Sequence, residues 1–243
     1  MENELEISGL KVSVNSTMIL NGIDLKVRVG ELHVLMGPNG SGKSTLSNVI
    51  IGNPKYKVVE GEIKFNGVNL LKMRPDERAR AGIFMSFQEP VEVPGINIFN
   101  FMRTAYLKEG GNASDLSALR SRMSLLIKEL GLPENFIQRS INEGFSGGEK
   151  KRFEMLQMLL LSPKIAILDE VDSGLDFDTL KVIGNMISTA SKDMGVLMIT
   201  HSDRIFDHLK PDFIHIIKNG RIISTGGLEL VSRIKKEGYD SYN

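Results

Sequence analysis

The chain has 243 residues, 41% of them hydrophobic, which is enough to bury a sizeable core as one large domain or two fused lobes. Its 30 Lys and Arg residues equal its 30 Asp and Glu residues, so it lacks the basic excess expected of a nucleic-acid-binding protein. The absence of cysteine excludes disulfides, thiolate nucleophiles and thiolate metal ligands, and it weakly favours a reducing compartment.

The first residues, MENELEISG, lack the basic-then-apolar order of a signal peptide. A membrane span needs about 20 mostly apolar residues. The best candidate, residues 155–168, is interrupted by Gln157, Pro163 and Lys164. We therefore expect a cytoplasmic protein without direct membrane insertion.

The first third of the chain alternates strand and helix signals. Residues 5–35 are predicted as short strands, because Leu25, Val27 and Val29 alternate with charged residues. The apolar run 34–36 is predicted as a buried strand that feeds a loop. The further predicted elements are a helix at 45–51 closed by Gly52, a strand at 62–65, a helix at 75–81 and a strand at 83–87.

The character of the sequence changes near residue 89. The stretch EPVEVPGIN contains two prolines and a glycine, which predicts a loop between lobes. Residues 97–109 and 115–130 have helical periodicity, and the second segment has one apolar face formed by Leu116, Leu119, Met123, Leu126 and Ile127. We interpret residues 91–145 as an α-helical subdomain inserted into a core formed by 1–90 and 146–243.

From residue 146 the α/β pattern resumes. The predicted elements are helices at 149–161 and 177–192, strands at 165–168, 196–200 and 213–217, a turn at 219–220, and a short helix with a polar end in 227–243.

A glycine-rich loop fits the pattern G-x-x-x-x-G-K-[ST] between a predicted strand and a predicted helix. Such a loop cradles a phosphate on its backbone N–H groups, with Lys43 reaching the β- and γ-phosphates and the hydroxyl of Ser44 binding Mg²⁺. The alternative is a glycine-rich turn that matches by chance. The nucleotide contacts predicted here are Gly37, Pro38, Asn39, Gly40, Ser41, Gly42, Lys43, Ser44 and Thr45.

Two carboxylates follow the apolar run 165–168, and a buried parallel strand would deliver both to the ligand-binding edge of a sheet. Asp169 is predicted as a Mg²⁺ ligand, and Glu170 as the group that orients or deprotonates the attacking water. Taken alone, the pair would instead be the exposed end of an ordinary strand.

Further motifs resemble those of ABC ATPases. Ser146, Gly147, Gly148 and Glu149 resemble the signature usually written LSGGQ, with Phe145 and Glu149 in place of Leu and Gln. Residues 172–176 resemble the D-loop. Gln88 and His201 stand where the family has its Q-loop glutamine and switch histidine, although either one alone would be an ordinary polar residue.

The ABC resemblance implies an α/β fold with a RecA-like core, an N-terminal antiparallel β subdomain and an α-helical subdomain. It implies binding of ATP and Mg²⁺, catalytic roles for Gln88, Glu170, His201 and Lys43, and Mg²⁺ binding by Ser44, Gln88 and Asp169. It also implies a transient homodimer on ATP binding, in which Ser146, Gly147 and Gly148 contact the γ-phosphate bound to the other chain.

A closer resemblance, to the SufC family of the SUF iron–sulfur cluster assembly system, covers almost the whole chain. It rests on the stretches MGPNGSGKSTLS, PDERARAGIF, NEGFSGGEKKR, LDEVDSGLD and KPDFIHII, and on the C-terminal GGLEL with KKEGYD. This resemblance implies soluble SufB and SufD scaffold partners. Because the chain has no cysteine, any cluster would sit on those partners.

Two local expectations complete the sequence prediction. Residues 89–103 are expected to receive a partner, since Val91, Val93 and Ile96 would form an apolar docking edge, although a simple linker between lobes is equally compatible. Residues 10–19 have no aromatic side chain to stack on adenine, so Val14 or a neighbour would give only apolar contact and base selectivity would be loose.

Three other functions are compatible with parts of the sequence. An ATPase subunit of an ABC importer shares every catalytic motif. An ATP-gated interaction module that barely hydrolyses ATP is disfavoured by the presence of Glu170 and His201. A DNA-repair ABC ATPase is disfavoured because no heptad run is present.

Overall fold

The computed structural model of the chain describes residues 3–87, 90–108 and 110–239. The strands are β1 (Glu4–Val14), β2 (Thr17–Arg28), β3 (Leu32–Met36), β4 (Lys57–Phe65), β5 (Val68–Asn69), β6 (Ile83–Ser86), β7 (Val93–Asn97), β8 (Ser140–Ile141), β9 (Ile165–Asp169), β10 (Gly195–Ile199), β11 (Phe213–Lys218) and β12 (Arg221–Gly226). The α-helices are α1 (Lys43–Ile51), α2 (Pro75–Arg80), α3 (Ile98–Lys108), α4 (Leu116–Glu129), α5 (Gly147–Leu161), α6 (Phe177–Ala190) and α7 (Glu229–Glu237).

The centre of the fold is a six-stranded sheet in the order β12-β11-β3-β10-β9-β6. Strands β11, β3, β10, β9 and β6 run parallel, and β12 is antiparallel to β11. The carboxyl ends of parallel strands share one edge, where open α/β sheets bind their ligands. The loops after β3, β9 and β10 therefore meet at this edge.

Both faces of the central sheet are covered, which explains why its central strand β10, GVLMI, is apolar without a break. Successive residues of each strand point to opposite faces, so neighbours in sequence join different hydrophobic clusters. The face toward α5 and α6 includes Val34, Met36, Ala166, Leu168, Val196 and Met198. The opposite face, toward α1 and the N-terminal strands, includes Leu35, Ile165, Ile167, Leu197 and Ile199.

The N-terminal region is a four-stranded antiparallel sheet in the order β2-β1-β4-β5. The prediction of short strands in residues 5–35 is wrong, because β1 and β2 have 11 and 12 residues. They are joined by a two-residue turn at Asn15 and Ser16, both with positive φ (47° and 66°), which is the backbone form that matches the twist of a tight hairpin. Register shifts interrupt the β1–β2 ladder. Because a bulge breaks the alternation of apolar and polar residues, the sequence pattern does not show the full length of these strands.

The predicted loop at 89–97 is also corrected. Residues 93–97 form β7, which pairs with β8 through Val93–Ile141 and Asn97–Ser140. Pro94 and Gly95 lie in the irregular part of this pairing, where no regular ladder hydrogen bond is required, so these two residues do not prevent a strand. Gln88 and Glu89 lie outside the described residues.

The predicted helices of the middle segment are present as α3 and α4. In α4 the side chains of Leu119, Met123 and Ile127 are buried, as the apolar face predicts. They share one hydrophobic cluster with α5 and the central sheet. The subdomain boundaries at residues 91 and 145 remain a prediction. Strand β12 was missed, because its edge position leaves it half exposed.

Among the described residues, no helix combines the length and the apolar character needed to cross a bilayer.

Two buried histidines, His33 and His215, link β3 to β11. His33 Nδ1 lies 2.9 Å from His215 Nε2, His33 Nε2 lies 3.0 Å from the Glu31 carboxylate, and His215 Nδ1 lies 2.9 Å from the Thr225 hydroxyl. If His33 Nε2–H donates to Glu31, then His33 Nδ1 accepts from His215 Nε2–H, and His215 Nδ1 accepts from the Thr225 hydroxyl. Both rings are neutral in this arrangement. Burial, followed by the neighbouring His33, lowers the pKa of His215 to about 4.

This arrangement predicts acid destabilisation. The pKa of His215 in the folded chain lies below the ordinary value of 6.5, so the unfolded chain binds more protons between these values and the free energy of unfolding falls as pH falls. Between pH 7 and pH 5 the wild type should lose about 2 kcal/mol more than His215→Gln. Urea unfolding of both proteins at the two pH values measures this difference, and equal losses would contradict the neutral pair.

Candidate functional site

The glycine-rich loop runs from the end of β3 into α1. The predicted start of this helix at residue 45 is wrong by two residues, because α1 begins at Lys43 and places Lys43 and Ser44 in its first turn. Gly42 precedes the helix with φ 109°, a conformation that glycine adopts without strain. The loop therefore turns sharply and leaves the helix N-terminus, with its positive potential, open at the sheet edge.

Gly37 is required by a contact that comes from another strand. A Cβ atom at this position would lie 2.2 Å from the carbonyl oxygen of Ile217 and 2.9 Å from the Ser41 hydroxyl. No side chain fits there without moving the backbone of β11. The same loop is held from outside by a hydrogen bond from the Gly220 amide to the carbonyl of Ser41, at 3.0 Å.

The Lys43 ammonium group folds back over the loop. Its Nζ donates to the carbonyl oxygens of Gly37 at 2.8 Å and Pro38 at 3.0 Å. Burial lowers the pKa of Lys43, and the carboxylates of Glu170 and Asp169 oppose this effect. A buried ammonium that donates to two neutral carbonyls can donate instead to an anionic ligand such as a phosphate.

Asp169 ends β9 beside the same loop. Its Oδ2 accepts from Ser47 Oγ at 2.8 Å, and its backbone N–H donates to Ser86 Oγ at 2.9 Å. Burial raises the pKa of Asp169, while hydrogen bonding from Ser47 and the nearby hydroxyl of Ser44 lowers it.

Two buried oxygens of the site, Asp169 Oδ1 and Ser41 Oγ, have no hydrogen-bond partner within the described part of the chain. Oxygen atoms from a carboxylate and from hydroxyl groups suit Mg²⁺, which binds through one or two such ligands together with substrate phosphates. Asp169 and Ser44 therefore fit a Mg²⁺ site. Gln88, the third predicted ligand, lies outside the described residues.

Glu170 follows Asp169 with φ 52°, which turns the chain sharply away from the strand. Its backbone N–H donates to the carbonyl of Ile199 at 2.9 Å, and its Oε1 lies 3.4 Å from His201 Nδ1. A positive φ at a non-glycine residue is strained and persists only where its surroundings fix it. The turn places the Glu170 carboxylate beside the histidine that follows β10.

A buried hydrogen bond joins the loops that bear Glu170 and His201, and sequence reasoning did not find it. Thr200 Oγ1 donates to Asp172 Oδ2 at 2.6 Å. Burial raises the pKa of Asp172, and the bond from Thr200 opposes the rise. In the sequence Asp172 is only part of a D-loop match, and no sequence signal connects it to a threonine 28 positions later.

These groups enclose a cavity of about 520 Å³. Its lining consists of Ile19, Asn39, Gly40, Gly42, Lys43, Ser44, Thr45, Glu170 and His201. The structure thus brings together the phosphate loop and two of the predicted catalytic residues. Within the segment 10–19, which was expected to give the apolar contact with adenine, Ile19 lines the cavity and Val14 does not. None of the described lining residues comes from the Ser146–Gly147–Gly148 turn.

That turn lies at the start of α5, where Ser146 and Gly147 are exposed and Gly148 is half-buried. The predicted helix at roughly 149–161 is present as α5, which begins two residues earlier, at Gly147, with Ser146 as its N-cap. Ser146 Oγ accepts from the Glu149 N–H at 3.2 Å, and Glu149 Oε2 accepts from the Ser146 N–H at 2.8 Å. This reciprocal pair is a capping box, which satisfies the backbone N–H groups of Ser146 and Glu149 and fixes the start of the helix.

A second, larger depression of about 790 Å³ lies beside α5 and β7. Its apolar lining includes Phe87, Pro90, Val91, Val93 and Phe101. Val91 is 78% exposed, whereas Val93 is half buried and packs on the core. Of the residues predicted to form a docking edge, Val91 and Val93 thus reach this groove.

A phosphate loop after one parallel strand, β3, with carboxylates at the end of β9, which is separated from β3 by β10 in the same sheet, defines a P-loop nucleoside triphosphatase. The family described as "ABC transporter" matches residues 20–173, and the chain belongs to this family. It is an ABC ATPase domain, which hydrolyses ATP.

Relatives and solved structures agree with this assignment. The chain is 49% identical over 241 residues to the "Probable ATP-dependent transporter ycf16" of Pyropia yezoensis, with 97% of this chain and 96% of that protein covered. It is 46% identical over 239 residues to a "Probable ABC transporter ATP-binding protein" of Streptococcus pyogenes serotype M3, with 97% and 93% covered.

The fold is also that of solved ABC proteins. An ATP-binding subunit of an ABC transporter superposes with a TM-score of 0.81 at 26% identity, covering 96% of this chain and 93% of that one. An ATP-binding cassette of an ABC transporter in its ADP conformation gives 0.76 at 25% identity, covering 98% and 96%. The predicted fold class is confirmed.

Proposed function

We propose that two copies of this chain close over ATP, and that each copy presents its signature turn (Ser146–Gly147–Gly148) to the triphosphate held by the other copy's phosphate loop. The observation that carries this proposal is the composition of the 520 Å³ cavity, whose described lining lacks the signature turn. Ser146 and Gly147 of the turn are exposed, and its helix N-terminus is suited to a phosphate. The signature turn is therefore available to contact a triphosphate that is bound to a second chain.

In this proposal the residues of one chain bind and orient the substrate. The ammonium of Lys43 exchanges its bonds to Gly37 and Pro38 for the β- and γ-phosphate oxygens of ATP, and the backbone N–H groups at 39–44 surround the same oxygens. Ser41 Oγ, which lacks a partner within the described residues, donates to a phosphate. Ser44 and Asp169 would hold Mg²⁺, which when bound offsets the negative charge of the phosphates.

The Glu170 carboxylate accepts a proton from the attacking water while the oxygen of that water bonds to the γ-phosphorus. The bond from that phosphorus to the β-phosphate oxygen breaks, and ADP and phosphate result. His201, 3.4 Å from Glu170, holds the carboxylate in place and contacts the γ-phosphate side of the cavity. Release of phosphate removes the charge that both chains bind, so the two copies separate.

We further propose that this movement drives a soluble scaffold of the SufB and SufD type during iron–sulfur cluster assembly. The SUF-like stretches support this role, as does a chain without cysteine, which would leave the cluster on its partners. The apolar groove with Phe87, Val91 and Phe101 offers a docking site for such a partner. A second candidate, the ATPase subunit of an ABC transporter, is favoured by the transporter names of the relatives.

Partner isolation tests the proposal. The tagged chain, purified from native lysate and analysed by mass spectrometry, should bring down soluble cysteine-bearing scaffolds, and Val91→Asp should lose about 90% or more of them because a charge enters the groove. The matched control is Val59→Asp, at a 52% exposed position on β4 outside the groove. Recovery of membrane-spanning partners would favour the transporter role, and equal binding by both variants would contradict docking in the groove.

A further inference from the structure

Arg139 makes a set of contacts around the signature turn that the catalytic scheme above does not use. Its Nη1 donates to Glu149 Oε1 at 2.6 Å, and its Nη2 donates to the carbonyl of Gly144 at 3.2 Å. Its guanidinium carbon lies 4.4 Å from the centre of the Phe145 ring and 5.5 Å from that of Phe136. The side chain thus holds the segment immediately before the turn and the first turn of α5 together.

The backbone of Arg139 is fixed on both sides. Its N–H donates to the carbonyl of Phe136 at 3.1 Å, and its carbonyl accepts from the N–H of Ile98 at 3.0 Å. The Phe136 and Phe145 rings below the guanidinium are buried in the core. The position of the arginine is therefore set by the fold rather than by its partner carboxylate.

Glu149 brings a negative charge to a turn that is proposed to receive a phosphate. The signature usually has a neutral Gln at this position. The N–H of Ser146 holds the pKa of Glu149 below its ordinary value, and Arg139 adds to this effect, so the side chain is a carboxylate at neutral pH. Because its Oε2 bonds to the Ser146 N–H, that carboxylate lies next to the serine itself.

We propose that Arg139 is a positioning residue of the ATP sandwich, which neutralises Glu149 so that the signature turn can accept the γ-phosphate bound to the other chain. Arg152 holds the other side of the turn by donating to the carbonyls of Gly148 at 3.3 Å and Gly131 at 3.0 Å. Within the described residues, no ion pair joins Arg152 to Glu149, so Arg139 is the cation that compensates the carboxylate. The inference rests on the proposed function.

A charge-compensation experiment tests this role. ATP turnover and ATP-dependent dimerisation are measured for wild type, Arg139→Met, Glu149→Gln and the double variant. Arg139→Met should raise KM for ATP and weaken the ATP-bound dimer about tenfold, with a smaller effect on kcat. Glu149→Gln keeps the capping box and gives the signature its usual neutral Gln, so it should remain within roughly twofold of wild type. The double variant should recover to within about threefold.

The control is Arg120→Met, since Arg120 stacks 5.5 Å from the Phe99 ring centre and has no carboxylate partner among the described ion pairs. Rescue by Glu149→Gln separates charge compensation from packing, because removing the charge of Glu149 would not restore the stacking contact of Arg139 with the phenylalanine rings. If Arg139→Met fails to fold, Arg139→Gln keeps a donor for Gly144 and is measured in its place.

Two outcomes overturn the inference. If Arg139→Met equals wild type, or if the double variant stays as impaired as Arg139→Met, Arg139 does not act through Glu149. If wild type forms an ATP-dependent dimer while the rescue fails, the sandwich stands and only this inference falls. If wild type forms no ATP-dependent dimer, even with its partners present, the proposed function fails and this role with it.

Discussion

Glu170→Gln is expected to lower kcat for ATP hydrolysis by about 10²- to 10⁴-fold, the range that a general base contributes. The amide has the shape of the carboxylate but does not accept the proton of the attacking water. The residues that bind the triphosphate are unchanged, so the variant should bind ATP and accumulate as an ATP-bound dimer. Phosphate release gives kcat, and size-exclusion chromatography with ATP gives the dimer.

The control for this prediction is Glu60→Gln, whose carboxylate pairs with Lys11 on the exposed face of the N-terminal sheet. This variant should retain kcat within roughly twofold, since a surface ion pair contributes little. Unchanged turnover in Glu170→Gln together with no accumulated dimer would remove Glu170 from the reaction. The position of His201 beside Glu170 would then need another explanation.

Lys43→Met should weaken ATP binding by roughly 10²-fold or more, because charge-assisted hydrogen bonds to two phosphates are lost, each worth about 1.5–3 kcal/mol. Methionine retains the apolar part of the side chain, so the loop and α1 should stay folded. Calorimetric titration with ATP measures the Kd. The melting temperature of the nucleotide-free variant should stay close to that of the wild type, which separates lost binding from lost structure.

An unchanged Kd for Lys43→Met would contradict the assignment of this cavity to the triphosphate. Lys218→Met, at the end of β11, is the matched control, since its ammonium donates to the carbonyl of Tyr239 at 3.3 Å and does not line the cavity. It should bind ATP with a Kd within roughly twofold of the wild type.

The phosphate loop could be predicted from the sequence because its function and its local structure are encoded in one contiguous stretch. The same is true of Asp169 and Glu170, which follow an apolar strand directly. By contrast, the need for glycine at position 37 arises from Ile217, a residue of a distant strand that approaches only in the folded chain. The roles assigned to the phosphate loop, Asp169 and Glu170 in binding and catalysis remain predictions.

The sequence also failed where one local rule competed with another. Pro94 and Gly95 predict a loop, but they lie in a bulge of β7 where a missing ladder bond has no cost. The ion pair of Arg139 with Glu149 spans ten positions, yet β8 and a turn lie between them, so no helical spacing indicates it. Such contacts depend on tertiary packing, which a one-dimensional pattern does not encode.

The central claim is that the ATP site is shared by two chains, and mixing two inactive variants tests it most directly. Lys43→Met lacks a working phosphate loop but keeps its signature turn, and Ser146→Arg lacks the turn but keeps its loop. We predict that each variant alone is inactive and that the mixture recovers turnover, because one complete site forms between the two. If both variants are folded and the mixture remains inactive at every ratio, while the wild type hydrolyses ATP under the same conditions, the shared site is contradicted.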